Sequence, residues 1–168
     1  PHLSTRRQRQ MCIRDSQSGN SEGLATKIAK DAKAYGLQGE VHDMDGFDFN
    51  SLSSKRRVMI VCSTWGEGEQ PDNAEDLWQF SISDSASRME GVHFAVLALG
   101  DSSYEFFCQS GKEWDAQFEK LGATRAIDRL DCDVDYDAPA AEWLMDALPT
   151  LAAICLLYTS PSPRDNRV

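Results

Sequence analysis

Val58-Met59-Ile60-Val61-Cys62-Ser63-Thr64-Trp65-Gly66-Glu67-Gly68 is the stretch that decides the fold. Its first five residues are apolar and three are β-branched, which suits a strand buried on both faces of a parallel sheet. Polarity returns at Ser63, and a loop rich in Gly, Glu and Asp runs to Asn73, where an amphipathic pattern predicts a helix over 73–83. Strand, loop and helix in that order make a βα unit.

The same alternation extends in both directions. Downstream, 94–99 reads as a second buried strand, 109–121 as a helix, 125–130 as a weaker strand, and 138–151 as a helix with Pro139 in its first turn, where a missing N–H costs nothing. Upstream, 40–44 reads as an edge strand, and Leu24, Ile28 and Ala32 repeat at helical spacing over 22–35, with Gly36 as the stop. The pattern predicts an α/β, doubly wound, parallel five-stranded sheet of order 2-1-3-4-5. One piece is absent from it: the loop Gln17-Ser18-Gly19-Asn20-Ser21 should follow a strand, and in this order that strand is central.

The two ends read as translated adapter DNA. Met11 to Ser16 can be written ATGTGTATAAGAGACAG, whose reverse complement contains TGTCTCTTATACACA, which encodes Cys155-Leu156-Leu157-Tyr158-Thr159. One DNA word read on opposite strands thus accounts for both ends. The expected division is a non-native flank over 1–16, a domain over 17–153 and a second flank over 154–168. Met11-Cys12-Ile13 could still lie in the vacant central slot, with Arg14 and Asp15 then approaching buried strand positions at a cost of several kcal/mol if unpaired.

The 168 residues suffice for one core, and no apolar run nears the ~20 residues a membrane helix needs. A basic start without an apolar stretch after it does not make a secretory signal, so a cytoplasmic location is expected. Cys12, Cys62, Cys108, Cys132 and Cys155 show no C-x-x-C pair or zinc spacing, and His42 and His93 show no ligand spacing. The net charge is −10; without the six basic and two acidic residues of the flanks, 11 basic and 25 acidic remain, or −14. Such a surface repels nucleic acid and anionic membranes and fits a partner with a basic face.

Three loops converge on the carboxyl edge of the expected sheet, where open α/β sheets bind ligands. The first, Ser16, Gln17, Ser18, Gly19, Asn20 and Ser21, sets short hydroxyls and amides at a helix N-terminus, a favourable place for a phosphate, although capping alone explains the same residues. The second, Ser63, Thr64, Trp65 and Gly66, offers a flat ring beside a Gly-x-Gly turn. The third, Leu99, Gly100, Asp101, Ser102, Ser103, Tyr104, Glu105, Phe106, Phe107 and Cys108, carries a second ring. Trp65 folded onto the core and Tyr104 as an ordinary surface tyrosine are the plainer readings.

These loops resemble the phosphate, middle and third FMN loops of the diflavin reductase family, the sulfite reductase flavoprotein alpha component foremost and cytochrome P-450 reductase more distantly. The resemblance covers essentially all of 17–153. It implies a flavodoxin-like FMN domain that takes electrons from an FAD and NADPH module and passes them to a haem or iron-sulfur acceptor. It also implies the phosphate at Ser16 to Ser21, the isoalloxazine against Ser63 to Gly66, and cover from Tyr104 on its other side. The Gly66 carbonyl would accept a hydrogen bond from the flavin N5 after uptake of one electron. Trp65 departs from the tyrosine or glutamine of many relatives. No side-chain acid or base is expected in electron transfer, and the separate fragment is not expected to turn over.

Asp131, Asp133, Asp135 and Asp137, with Glu67, Glu69 and Asp72, would ring the flavin edge and steer a basic partner, or simply be solvated. An independent flavodoxin acting as a diffusible carrier is the alternative function. A response-regulator-like domain is a third, but it lacks the expected acidic cluster and lysine and leaves Trp65 and Tyr104 unexplained. With its central strand replaced, the chain is expected to be poorly stable and to hold FMN weakly; a stable, flavin-loaded preparation of these 168 residues would contradict that.

Overall fold

The computed structural model describes the backbone of residues 10–15 and 19–159 and, among these, every side chain except 14, 15 and 155–159. The elements run β1 (Gln10–Asp15), α1 (Gly19–Ala32), β2 (Gln38–Asp43), β3 (Arg57–Ser63), α2 (Asp72–Ser81), β4 (His93–Leu99), α3 (Gln109–Lys120), β5 (Thr124–Arg125), β6 (Leu130–Cys132) and α4 (Asp137–Thr159). Short 3-10 turns cover Lys33–Tyr35 and Phe49–Ser54. The strands pair in parallel in the order β2-β1-β3-β4-β5, with β6 also on β4. The α/β doubly wound sheet of order 2-1-3-4-5 is therefore present.

Three features differ from the sequence reading. The central slot is filled: Gln10 to Asp15 pair with β2 from Gln10↔Gln38 to Asp15↔Asp43, and with β3 from Cys12↔Val58 to Asp15↔Val61. The fifth strand, expected as one run over 125–130, is instead two short segments with Ala126 to Arg129 between them, each pairing with β4. Its single apolar run is too weak to specify an unbroken strand. Helix α4 continues past Ala153, the expected domain limit, to Thr159.

β3 and β4 are buried along almost their whole length, as continuous apolar runs in a parallel sheet must be. Met11, Ile13, Met59, Val61, Ala95 and Leu97 face α1 and α4. Cys12, Val58, Ile60, Val96 and Phe94 face the other way, toward α2, α3 and the turn carrying Phe49. On that side Trp114 lies 5.1 Å from Trp78 in an edge-on contact and 6.0 Å from Phe118, so the ring body of α3 is held on several sides.

One buried cation ties the layers together. Arg57 is fully buried at the start of β3, where its Nε donates to the Leu151 carbonyl of α4 at 2.8 Å and Nη1 to the Gln10 carbonyl of β1 at 2.9 Å. At the sheet's far edge, the nearly buried Asp115 carboxylate takes guanidinium donors from Arg125 and Arg129, both at 2.9 Å.

α3 lies unusually close to β4. A Cβ added at Gly111 would fall onto the Cβ of Ala98 and lie 3.6 Å from Cys62 Sγ. In an exposed helix Gly→Ala stabilises by roughly 1 kcal/mol, but overpacking a rigid core costs about 1–3 kcal/mol. Here the helix cannot move without lifting the whole α2–α3 layer. Gly111→Ala is therefore expected to destabilise the chain by about 2 kcal/mol, read as a lowered urea midpoint; an unchanged or raised midpoint would show that α3 is free to shift.

Candidate functional site

Parallel strands end together, and the carboxyl ends of β3 and β4 open onto a cavity of about 400 Å³. Asn20, Ser63, Thr64, Trp65, Gly66, Leu99, Gly100, Asp101, Tyr104, Phe106 and Cys108, all expected from sequence, line it. Gly19, Ser21, Ser102, Ser103, Glu105 and Phe107 lie on the same loops but outside the lining. Ser16, Gln17 and Ser18 fall outside the described residues.

The first loop meets the second through side chains: Ser21, buried in the first turn of α1, shares a 2.8 Å hydrogen bond with Ser63 at the end of β3. Asn20, exposed one residue earlier, borders the cavity where the α1 N-terminus brings unpaired backbone N–H groups.

The second loop is a small closed hairpin. Trp65 and Glu69 exchange backbone hydrogen bonds at 3.1 and 2.9 Å, and the Thr64 N–H donates to the Leu99 carbonyl at 3.2 Å. Gly68 sits at φ +106°, and a Cβ there would come within 2.9 Å of Phe106 Cβ; glycine is required both for the turn and for contact with the third loop. Trp65 keeps 39% of its surface exposed.

The third loop turns on Asp101, whose Oδ1 accepts from Ser103 N at 2.9 Å and Ser103 Oγ at 2.6 Å. Tyr104 then stands 60% exposed at the cavity mouth. The loop closes at Cys108, a non-glycine residue at φ +55°, and enters α3 without a side-chain cap from Cys108. Thr64 Oγ1 supplies a substitute, accepting the Ser110 N–H at 2.9 Å.

A fourth segment completes the wall: Asp133, Val134 and Tyr136, between β6 and α4. Sequence reasoning had placed Asp133 only on an acidic rim and had missed Val134 and Tyr136; a tyrosine just beyond the last strand's carboxyl end was the available signal. Asp133 anchors the third loop, accepting from Ser102 N at 3.0 Å and from Ser102 Oγ. These donors and the Val134 N–H hold its carboxyl below the ordinary aspartate range. Asp131, expected on the same rim, is instead paired with Arg129 at 2.7 Å.

Three thiols lie beneath the cavity. Burial pushes Cys62 and Cys108 up to about 12 and Cys132 to about 11, so all three stay protonated near neutrality and serve as apolar packing. Cys108 Sγ donates to the Cys132 carbonyl at 3.6 Å. Away from this edge, Cys12, Glu40 and His42 bring three ligand atoms within 4.8 Å of one another across β1 and β2, a juxtaposition that spacing alone did not reveal. Among the described residues no helix is long and apolar enough to cross a membrane.

Residues 13–143 match the Flavodoxin family model. The chain is 49% identical over 133 residues to the Sulfite reductase [NADPH] flavoprotein alpha-component of Vibrio parahaemolyticus and 50% identical over 136 residues to that of Bacillus subtilis, matching 79% and 81% of this chain. It spans only 21% and 22% of those proteins. Among solved structures, the Streptococcus pneumonia TIGR4 flavodoxin superposes with a TM-score of 0.77 at 23% identity, covering 86% of this chain and 98% of that one. A cysteine-substituted Pseudomonas aeruginosa flavodoxin gives 0.74 at 27% identity, covering 84% and 98%. With the family match running from inside β1 into α4, the chain belongs to the flavodoxin family.

Proposed function

We propose that this chain is the FMN-binding electron-transfer module of a sulfite reductase type flavoprotein, receiving electrons from an FAD and NADPH module and passing them to a haem or iron-sulfur acceptor. The observation that carries the reading is a cavity at the sheet's carboxyl edge bordered by two large, solvent-exposed rings, Trp65 and Tyr104, from different loops. Leaving flat apolar rings in water is unfavourable, and a planar ligand would cover both. The cavity's size falls in the range of about 300–1,000 Å³ usual for small-molecule sites.

The residues present fit FMN. Asn20 and the first turn of α1 would hold the phosphate through N–H donors and the helix dipole, with no cation needed. Ser63 to Gly66 and Leu99 to Cys108 would hold the ring system, and Ser16, Gln17 and Ser18 would complete the phosphate loop. Bound FMN supplies the one-electron chemistry; the chain orients it, covers its faces and surrounds it with negative charge. Glu67, Glu69, Asp101, Glu105 and Asp135 lie on or next to the loops around the mouth, which favours a basic-faced acceptor and a faster encounter at low salt.

The diffusible carrier has one observation in its favour, the near-complete coverage of the solved flavodoxins. The far higher identity to the sulfite reductase components favours the multidomain reading. In that reading the native segment is 17–153, Gln10 to Asp15 of the preceding flank supply its central strand, turnover needs the reductase module, and the protein is cytoplasmic.

FMN titration of the 168-residue chain, followed by quenching of flavin fluorescence, tests the reading. Trp65→Ala and Tyr104→Ala are each expected to raise the FMN Kd by about tenfold, the weight of one lost aromatic contact and its burial, with unchanged far-UV dichroism because neither ring is in the core. A folded chain that leaves flavin fluorescence untouched would sink the reading.

Asp133 makes the third loop acid-sensitive in a defined window. Its folded-state pKa is lowered, so its contribution is complete above about pH 4 and is lost as the pH falls through the lowered value. The Ser102 amide should therefore keep its exchange protection from pH 7 to about pH 4 and lose it as the pH falls on through the lowered value, whereas Asp133→Ala, with no acceptor at that position, should lack that protection even at pH 6. Equal protection in the two proteins at pH 6 would show that the anchor is elsewhere.

A further inference from the structure

Gln70 closes the second loop, next to a proline and with no charge of its own, and it is only 6% exposed. Its amide is almost fully used. Oε1 accepts from Ser110 Oγ at 2.7 Å and from Trp114 Nε1 at 3.0 Å, and Nε2 donates to Glu113 Oε1 at 2.9 Å. The orientation of the amide follows from chemistry: an indole N–H can only donate and an ionised carboxylate can only accept, so the oxygen must face Trp114 and the nitrogen Glu113. All three partners stand in the first two turns of α3.

The other foot of the same loop is pinned to the same place, since Thr64 Oγ1 accepts the Ser110 N–H. Ser110 thus joins both feet of the hairpin, with its backbone to Thr64 and its hydroxyl to Gln70. Behind it, Trp114 is fully buried among Trp78, Phe49 and Phe118 and is a fixed reference in the core. Between the feet, Trp65 to Glu69 hold mainly to one another. The position of the Trp65 ring over the cavity therefore depends on where its feet are held.

We propose that Gln70 is a positioning residue: through Ser110, Trp114 and Glu113 it sets the placement of the Trp65 hairpin, and hence the affinity and redox potentials of the flavin. This rests on the FMN reading above. A buried amide with three partners is also a sharp requirement, because an apolar side chain of similar size leaves the Ser110 hydroxyl and the Trp114 indole unsatisfied in the core.

The test uses the full chain with Gln70→Leu, Ser110→Ala and the paired exchange Gln70→Glu with Glu113→Gln. In the exchanged pair the carboxylate at 70 still accepts from Ser110 and Trp114, the amide at 113 donates in the reverse direction, and net charge is kept. Three quantities are read: FMN Kd, the two one-electron midpoint potentials of bound FMN, and exchange rates of the Trp65, Gly68 and Glu69 amides without FMN. Gln70→Leu should weaken FMN binding about tenfold and speed exchange at those amides by a similar factor, as expected for losing one to two net hydrogen bonds. The potentials should move, and the exchanged pair should return all three toward the unsubstituted values. Ser110→Ala should show a smaller change in the same direction, and it keeps the test open if Gln70→Leu fails to fold. Unchanged Kd, potentials and loop exchange in a folded Gln70→Leu or Ser110→Ala chain would overturn the proposal while leaving the FMN reading intact. A folded exchanged pair that restored none of the three would also overturn it. Failure of the unsubstituted chain to bind FMN would remove the reading itself, and this proposal with it.

Discussion

Parallel pairing of β1, β3 and β4 is the constraint from which the rest of the molecule follows. A parallel sheet needs helical crossovers, and those helices cover both faces. Met11, Ile13, Met59 and Val61 are sealed on one side, and Cys12, Val58, Ile60 and Val96 on the other. At about 1.5–3 kcal/mol for each large buried apolar side chain, these central strands supply much of the drive for folding. The slot between β2 and β3 has to be filled, because an open slot would expose two rows of backbone donors and acceptors in the middle of the sheet. Gln10 to Asp15 occupy it with full register on both sides.

Parallel pairing also puts every strand's carboxyl end on one edge, and so gathers loops that are far apart in sequence. Hydrogen bonds then lock the loops to one another: Ser21 to Ser63, Thr64 to Ser110, Ser102 to Asp133. Two of the three join the second loop to the foot of a neighbouring helix, α1 or α3. The cavity is thereby built on the rigid part of the fold, while the two rings that border it remain in solvent. That combination suits a ligand which must be held in a fixed orientation yet exchange electrons with a partner at the surface.

Charge is arranged around this edge with some economy. Carboxylates near the sheet are neutralised locally, Asp115 by two arginines and Asp131 by Arg129, so burial does not leave them unpaired. Those at the mouth have mainly backbone and hydroxyl donors, as at Asp101 and Asp133, and keep their field directed outward. The thiols beneath carry no charge at neutral pH, because burial disfavours the thiolate.

Much of this was legible in the sequence. The unbroken apolar runs that became β3 and β4 admit few alternatives to buried parallel strands, and small, polar and aromatic residues just after them mark the ligand edge for local reasons of solvation and turn geometry. Helix α1 followed from the spacing of Leu24, Ile28 and Ala32, and its end from Gly36, which takes φ +78°. Only the tertiary structure decided three things. It put Gln10 to Asp15 in the central slot, a choice made by the pairing demands of strands 28 and 46 residues away. It broke the fifth strand into two pieces, because the line of a weak edge strand is set by what β4 offers rather than by its own residues. And it brought Asp133, Val134 and Tyr136 to the cavity and tied Gln70 to α3, since a hydrogen bond between Gln70 and Trp114 spans 44 positions of chain and leaves no periodic trace in either segment.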